Sequence, residues 1–164
     1  MYGIATYNAT KGFIKQYGAG IARAIKGTGI FFPVAIGQKA YESGYGKRIP
    51  KDSNNFGGIK YNPNLPGVIG FVTEDTLEYK NGKSYRTTQK FSKFKDVESG
   101  IKAYVEILTS SRYKKAMTLA KTPEEQILMI AQAGYTTAPA KKYADSLNPL
   151  IQAARDISQL GRIV

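Results

Sequence analysis

A chain of 164 residues, 42% hydrophobic and 22% charged, has the size and composition of one folded domain with its own core; two full domains or a disordered chain are not expected. With no cysteine and no histidine, thiol nucleophiles, Ser/His/Asp triads, haem ligation and Cys/His zinc sites are excluded, so no metal and no cofactor is expected. Acid–base work falls to carboxylate, Lys and Tyr, and the net charge of +12 calls for an anionic partner: nucleic acid, an anionic membrane surface or a carboxylate- or phosphate-bearing wall polymer.

Asn8 or Thr10 can cap a first helix reaching about Lys26, with Phe13, Ile14, Tyr17, Ile21 and Ile25 at helical spacing and Gly27 and Gly29 as its stop. A second helix is predicted from about Phe32, with Pro33 in its first turn and an end at Gly44 to Gly46. Val34, Ile36, Gly37 and Ala40 give it a small-residue face, and Glu42 falls in its last turn. Residues 50–70 read as a loop rich in Gly, Pro and Asn, of a length that usually carries function. From residue 72 to 94 the sequence alternates about Asn81-Gly82, a type I′ turn that pairs Glu78 with Tyr85 and Thr76 with Thr87.

Helical period returns after Asp96, a cap, with Val97, Ile101, Tyr104, Val105 and Leu108 on one stripe. Ser111 begins a short helix through Leu119, and Thr122-Pro123-Glu124-Glu125 is a capping box for a helix that ends on Gly134. A last helix is predicted from about Ala140 to about Leu160, interrupted or restarted at Asn148-Pro149. The expected architecture is one domain over residues 1–164, mostly helical, with a β-lobe at about 50–95 and neither repeat nor linker. No apolar stretch reaches the roughly 18 residues of a membrane span, so no transmembrane segment is expected. No N-terminal signal peptide is visible in MYGIATYNATKGFIKQYG, which leaves the export route open.

The stretch AYESGYG places Glu42 at a helix C-terminus, where the macrodipole is negative, beside Tyr41 and Tyr45. Both neighbours favour a carboxyl that keeps its proton, the requirement for a general acid in glycoside hydrolysis. A solvated residue in a last turn is the alternative. The loop, with Asn54, Asn55, Phe56 and Tyr61, and the hairpin can form the opposite wall of a cleft above Glu42. Glu78 is then either a second acid or an ordinary solvent-facing strand residue.

The segments FFPVAIGQKAYESGYGK, NNFGGIK, TLEYKNG followed by FSKFKDVESGIKAYVEIL, then RY and AGYTTAP before a final helix, in that order, resemble the bacterial and phage glucosaminidase family. This is glycoside hydrolase family 73, of the flagellar peptidoglycan hydrolase and autolysin type, and the similarity covers roughly residues 9–156. The resemblance implies an α+β, lysozyme-like fold, mostly helical, with a small β-hairpin lobe forming one wall of the cleft. It implies an endo-β-N-acetylglucosaminidase that cleaves the β-1,4 bond between N-acetylglucosamine and N-acetylmuramic acid in peptidoglycan.

Carried over by position, the resemblance makes Glu42 the general acid, in the motif usually read LESGWG, and Glu78 the second carboxylate, in a T-x-E-Y element. Tyr135 of GYTTAP matches the tyrosine of GYATDP, implied to support the substrate, and Asn55, Phe56, Gly58, Ile59 and Lys60 match the cleft-lining loop. Tyr41 and Tyr45 stand where leucine and tryptophan are more usual, NNFGGIK departs from NLFGIK, and Ala138 replaces an aspartate. Tyr45, Tyr135, Asn55, Phe56 and Lys60 are thus the substrate-binding candidates. Glu74 lies near Glu78 as an alternative second acid, and neither a retaining nor an inverting outcome follows.

Peptidoglycan glycan strands are the expected partner, with anionic wall polymers attracted by the net charge, and a monomer is expected to act at the bacterial cell wall, in the periplasm or outside the cell. A lysozyme or lytic transglycosylase on the same fold is the nearest alternative. A non-catalytic wall- or nucleic-acid-binding module is the other, although no readout motif is present and no nucleic-acid partner is expected. A phage lysin, a secretion-system effector, an autolysin and an excised domain all fit.

Overall fold

The structure, a computed structural model, describes residues 1–163. Along the chain lie α1 (Ile4–Ile25), α2 (Phe32–Glu42), β1 (Val68–Lys80), β2 (Lys83–Phe94) and α3 (Val97–Leu108). A 3-10 turn (Ser111–Tyr113) then leads into α4 (Lys114–Leu119), α5 (Pro123–Ile130), a π turn (Ala131–Tyr135) and α6 (Ala140–Ile163). This is the α+β arrangement of a helical body with a two-stranded lobe. Among the described residues no helix is long and apolar enough to cross a membrane.

The body is built around α2. Residues Val34 to Ala40 are buried without interruption, so this helix is covered on all sides, chiefly by α6 and α1. Close approach needs a residue without a side chain: a Cβ on Gly37 would lie 2.8 Å from Ile151 Cγ1 of α6. The turn before α2 is held by the buried Gln126, whose Oε1 accepts from Phe31 N at 2.9 Å while its Nε2 donates to Gly29 O at 2.8 Å.

Local signals act largely as predicted. Asp96 caps α3, accepting from Ser99 N at 2.7 Å, and Thr122 caps α5, accepting from Glu125 N at 3.1 Å. Glu125 does not reach back to its own cap; its Oε2 accepts from Lys121 N at 2.8 Å. Asn81 and Gly82 both have positive φ, 52° and 74°, and the ladder pairs Glu78 with Tyr85 and Thr76 with Thr87. The hairpin starts earlier than the alternation suggests, at Val68, with an irregularity before Gly70, so the preceding loop is shorter.

Three helix ends differ from expectation. α1 begins at Ile4 with the Gly3 carbonyl accepting from Tyr7 N at 3.1 Å; Thr10 is instead a buried residue of its core face. α5 does not stop cleanly on Gly134 but widens into the π turn, in which Gly134 takes φ 94°. α6 is continuous through Asn148-Pro149. An interior proline removes one helical hydrogen bond, at a cost of about 3 kcal/mol, and the buried Leu147, Leu150, Ile151, Ala153 and Ala154 around it offset that cost.

Candidate active site

Glu42 is the last residue of α2, and its position follows from how that helix ends. Three consecutive left-handed residues, Gly44 at φ 55°, Tyr45 at 58° and Gly46 at 87°, turn the chain sharply away. A Cβ on Gly46 would lie 2.7 Å from the Tyr17 ring, so glycine is required there. The terminal carbonyls are satisfied locally: Ser43 Oγ donates to Lys39 O, and Arg48 Nη2 donates to Tyr41 O at 3.3 Å.

The next loop is clamped by Asn55, which is 2% exposed. Its Oδ1 accepts from Ile59 N at 2.9 Å, and its Nδ2 donates to Ile59 O at 2.8 Å and Ser92 O at 2.9 Å. Phe56 is buried edge-on against Tyr17, with ring centroids 4.9 Å apart. Lys60 forms a backbone bridge to Phe91, joining the loop to the edge of β2. Between this loop, the end of α2 and the hairpin lies a cleft of about 580 Å³, lined among others by Glu42, Phe56, Glu74 and Thr76.

Three donors converge on the Glu42 carboxylate. Oε1 accepts from Tyr135 Oη at 3.0 Å and from Tyr143 Oη at 3.4 Å, and Oε2 accepts from Lys39 Nζ at 2.9 Å. The Lys39 side chain is only 3% exposed, and its ammonium also sits 4.1 Å from the centroid of the Tyr104 ring. Behind them Gln38, fully buried, accepts from Tyr104 Oη and donates to Tyr143 Oη at 3.1 Å. The surroundings of Glu42 are therefore not the apolar helix end inferred from its neighbours; a cation and two hydroxyls face it. Burial, followed by the nearby Glu42 charge, pushes the phenols of Tyr104, Tyr135 and Tyr143 up from their ordinary value. All three stay protonated and serve as donors.

The predicted site residues are distributed unevenly around this centre. Tyr135, from the π turn, reaches Glu42 directly. Asn55 and Phe56 hold and floor the loop, Asn55 directing its carboxamide at backbone groups. Tyr45 is half-buried against the core in its left-handed turn. Glu78 lies on the same hairpin face as Glu74 and Thr76 but nearer the tip; its Oε1 accepts from Thr76 Oγ1 at 3.3 Å and is 4.0 Å from Lys60 Nζ. Glu74, rather than Glu78, lines the cleft beside Glu42.

Sequence reasoning missed Lys39, Gln38 and Tyr143. One signal was present: in VAIGQKAYE two polar residues interrupt an apolar run that a covered helix must bury, and Lys39 stands three residues before Glu42 on the same face.

A helical body with a carboxylate held at the rim of such a cleft, under a hairpin lobe, is the arrangement of the glucosaminidase family, to which this chain belongs. Residues 18–156 match that family, described as mannosyl-glycoprotein endo-beta-N-acetylglucosaminidase. Among individual relatives, the peptidoglycan hydrolase FlgJ of Escherichia coli K12 is 30% identical over 154 residues, covering 91% of this chain and 48% of that protein. FlgJ of Salmonella typhimurium is 28% identical over 155 residues, covering 92% and 48%. The chain thus spans about half the length of the curated relatives it matches. The solved, C-terminally truncated glycoside hydrolase domain of Salmonella typhimurium FlgJ superposes with a TM-score of 0.72 at 29% identity, over 90% of this chain and 98% of that one. The catalytic domain of the Listeria monocytogenes autolysin Auto gives 0.75 at 25% identity, over 90% and 85%.

Proposed function

We propose that the chain is a peptidoglycan-cleaving glycoside hydrolase, an endo-β-N-acetylglucosaminidase that cuts the β-1,4 bond between N-acetylglucosamine and N-acetylmuramic acid at the bacterial cell wall. The observation that carries this reading is Glu42, fixed by Tyr135, Tyr143 and Lys39 at the edge of an open cleft of about 580 Å³. The names of the relatives point to the same polymer. In the proposed reaction the Glu42 carboxyl passes its proton to the glycosidic oxygen as the bond to the anomeric carbon breaks, and water adds its hydroxyl to that carbon while its remaining proton is returned to the catalytic carboxyls. Tyr135 and Tyr143 orient the carboxyl, and the positive surface aids attachment to an anionic wall.

A second carboxylate, from the hairpin, faces the developing positive charge on the sugar. Glu78 is our assignment, supported by its T-x-E-Y context and by a strand face shared with Thr76, a cleft residue. Its contribution requires the hairpin to bend over the bound strand. Glu74 is the second reading, favoured by its place in the cleft wall.

Digestion of purified peptidoglycan, borohydride reduction and mass spectrometry test the bond assignment. Fragments ending in N-acetylglucosaminitol are expected. N-acetylmuramitol ends would instead make the enzyme a lysozyme, and 1,6-anhydro ends a lytic transglycosylase. Equal wall clearing by the wild type and Glu42→Ala would remove Glu42 from the chemistry.

A further inference from the structure

The cleavage proposed above uses one end of α2 and the hairpin, and leaves a third stretch of cleft wall without a role. After its left-handed turn the chain runs K-R-I-P-K over residues 47–51, and Lys47, Arg48 and Lys51 all line the same cleft as Glu42. Glu74 and Asp75 of the hairpin line it too. Among the described residues none of these five side chains joins an ion pair within 4.0 Å. The cleft is therefore polarised, positive along the loop and negative along the hairpin, with neither wall neutralised by the other. Arg48 is partly engaged in capping α2, which leaves Lys47 and Lys51 as the free cations.

These lysines project from a constrained support. Arg48 N donates to Ser43 O at 2.9 Å, Ser53 N donates to Pro50 O at 3.0 Å, and Ile49 and Pro50 are partly buried between the two lysines. A held loop presents charge at a defined place, which a flexible lysine-rich tail does not. The glycan strands of peptidoglycan carry a carboxylate on every second sugar, on the lactyl ether itself or on the peptide attached to it, whereas a plain N-acetylglucosamine polymer carries none. A strand lying past Glu42 must direct those substituents toward one wall, and the hairpin acids repel them.

The geometry points to the 47–51 wall as a carboxylate-reading subsite, in which Lys47 and Lys51 take the anionic substituent of the glycan and so set the strand's orientation in the cleft. This rests on the peptidoglycan reading of the site. It makes the enzyme selective for charged over neutral strands, beyond any general attraction from its net charge.

The test is a cycle between charge on the enzyme and charge on the substrate. Initial rates of reducing-end release give KM and kcat on native peptidoglycan and on the same material with its carboxylates amidated by carbodiimide and methylamine. The enzymes compared are wild type, Lys47→Gln/Lys51→Gln and Lys26→Gln/Lys121→Gln. The last pair carries the same loss of charge outside this cleft, Lys26 lining an apolar cavity with Phe32 at the opposite end of α2. Amidation is expected to raise the wild-type KM about fivefold, the effect of two exposed charge contacts. The Lys47→Gln/Lys51→Gln variant starts with the raised KM and no longer responds to amidation, while the Lys26→Gln/Lys121→Gln pair responds in full.

Equal responses of all three enzymes, or a control that loses its response as well, would overturn the subsite. A wild type that releases no reducing ends from native peptidoglycan fails the broader reading instead, and is distinguishable on that ground. Strands stripped of peptide by an amidase carry a free lactyl carboxylate in place of the peptide's: a response that persists shows that the subsite takes a carboxylate at either position, and a lost one confines it to the peptide's.

Discussion

Replacing Glu42 by glutamine, the common way to silence a catalytic carboxylate, removes more here than a proton donor. Lys39 is 3% exposed and its partner Glu42 23%, with 2.9 Å between Nζ and Oε2. At an effective dielectric constant of about 20 their attraction is about 6 kcal/mol, most of which offsets the desolvation of the ammonium. Glutamine leaves that ammonium buried without a counter-charge, a change that costs about 3–5 kcal/mol in enclosed pairs. Because Glu42 borders an open cleft that admits water, the low end applies. Glutamine also turns an amide NH₂ toward either Lys39, which cannot accept, or the two tyrosine hydroxyls, which must then turn from donor to acceptor. Glu42→Gln is thus expected to lose about 3 kcal/mol, a fall of about 6–12 °C in Tm for a domain of this size.

Lys39→Met/Glu42→Gln is expected to recover at least half of that loss, since a thioether packs well on the Tyr104 ring where an unpaired ammonium does not. Circular-dichroism melts of the wild type, both single variants and the double variant, analysed as a cycle, check it. A Glu42→Gln protein melting within about 1 °C of wild type, or single losses that simply add in the double variant, would refute the reasoning. If it holds, the double variant is the proper test of the role proposed for Glu42, because any activity it loses is not confounded by lost fold.

Tyr135→Phe is expected to lower kcat about tenfold through loss of a charge-assisted hydrogen bond, and Tyr143→Phe less because its contact is longer; steady-state rates on peptidoglycan decide the order. Glu78→Gln is expected to reduce kcat more than Glu74→Gln in the same assay, and the reverse order would transfer the second-carboxylate role to Glu74. In alkali, Tyr104, Tyr135 and Tyr143 keep protons in the folded chain that the unfolded chain releases from the ordinary value of 10.0 upward. Their stabilising contribution is complete below that pH and declines above it by about 1.4 kcal/mol per pH unit per tyrosine. Denaturant titrations between pH 9 and 11 are expected to show this decline, and a shallower one in Tyr143→Phe.

What could be read from the sequence was what local chemistry decides. Asn81-Gly82 specified its turn and hence the hairpin register, and Asp96 and Thr122 specified helix starts, because each acts within four residues of itself. Pro149 misled for the complementary reason: its local preference to break a helix is overridden because the residues around it on α6 are buried against α1, α2 and α5, elements distant in the chain. Glu42 was visible from its place at a helix end. Its setting was not, since Tyr135 and Tyr143 arrive from about a hundred residues downstream and read locally as a turn residue and a helix residue. Lys39 was the readable exception, a charge inside a run that a covered helix must bury.

The hairpin has a further consequence for how the molecule moves in time. Its base is tied to the 53–62 loop, through Ser92 N to Ile59 O, Phe94 N to Ser53 O and Tyr61 N to Lys90 O, and to α3, whereas most side chains of β1 beyond Val72 are exposed and the outer half of the ribbon is held chiefly by its own ladder. A two-stranded ribbon so lightly anchored opens in a local step, whereas the amides of α2, buried from Val34 to Ala40, are released only when the whole body unfolds. The two walls of one cleft therefore run on separate clocks: hydrogen exchange at the hairpin reports opening of the arm, and exchange at α2 reports the life of the fold itself.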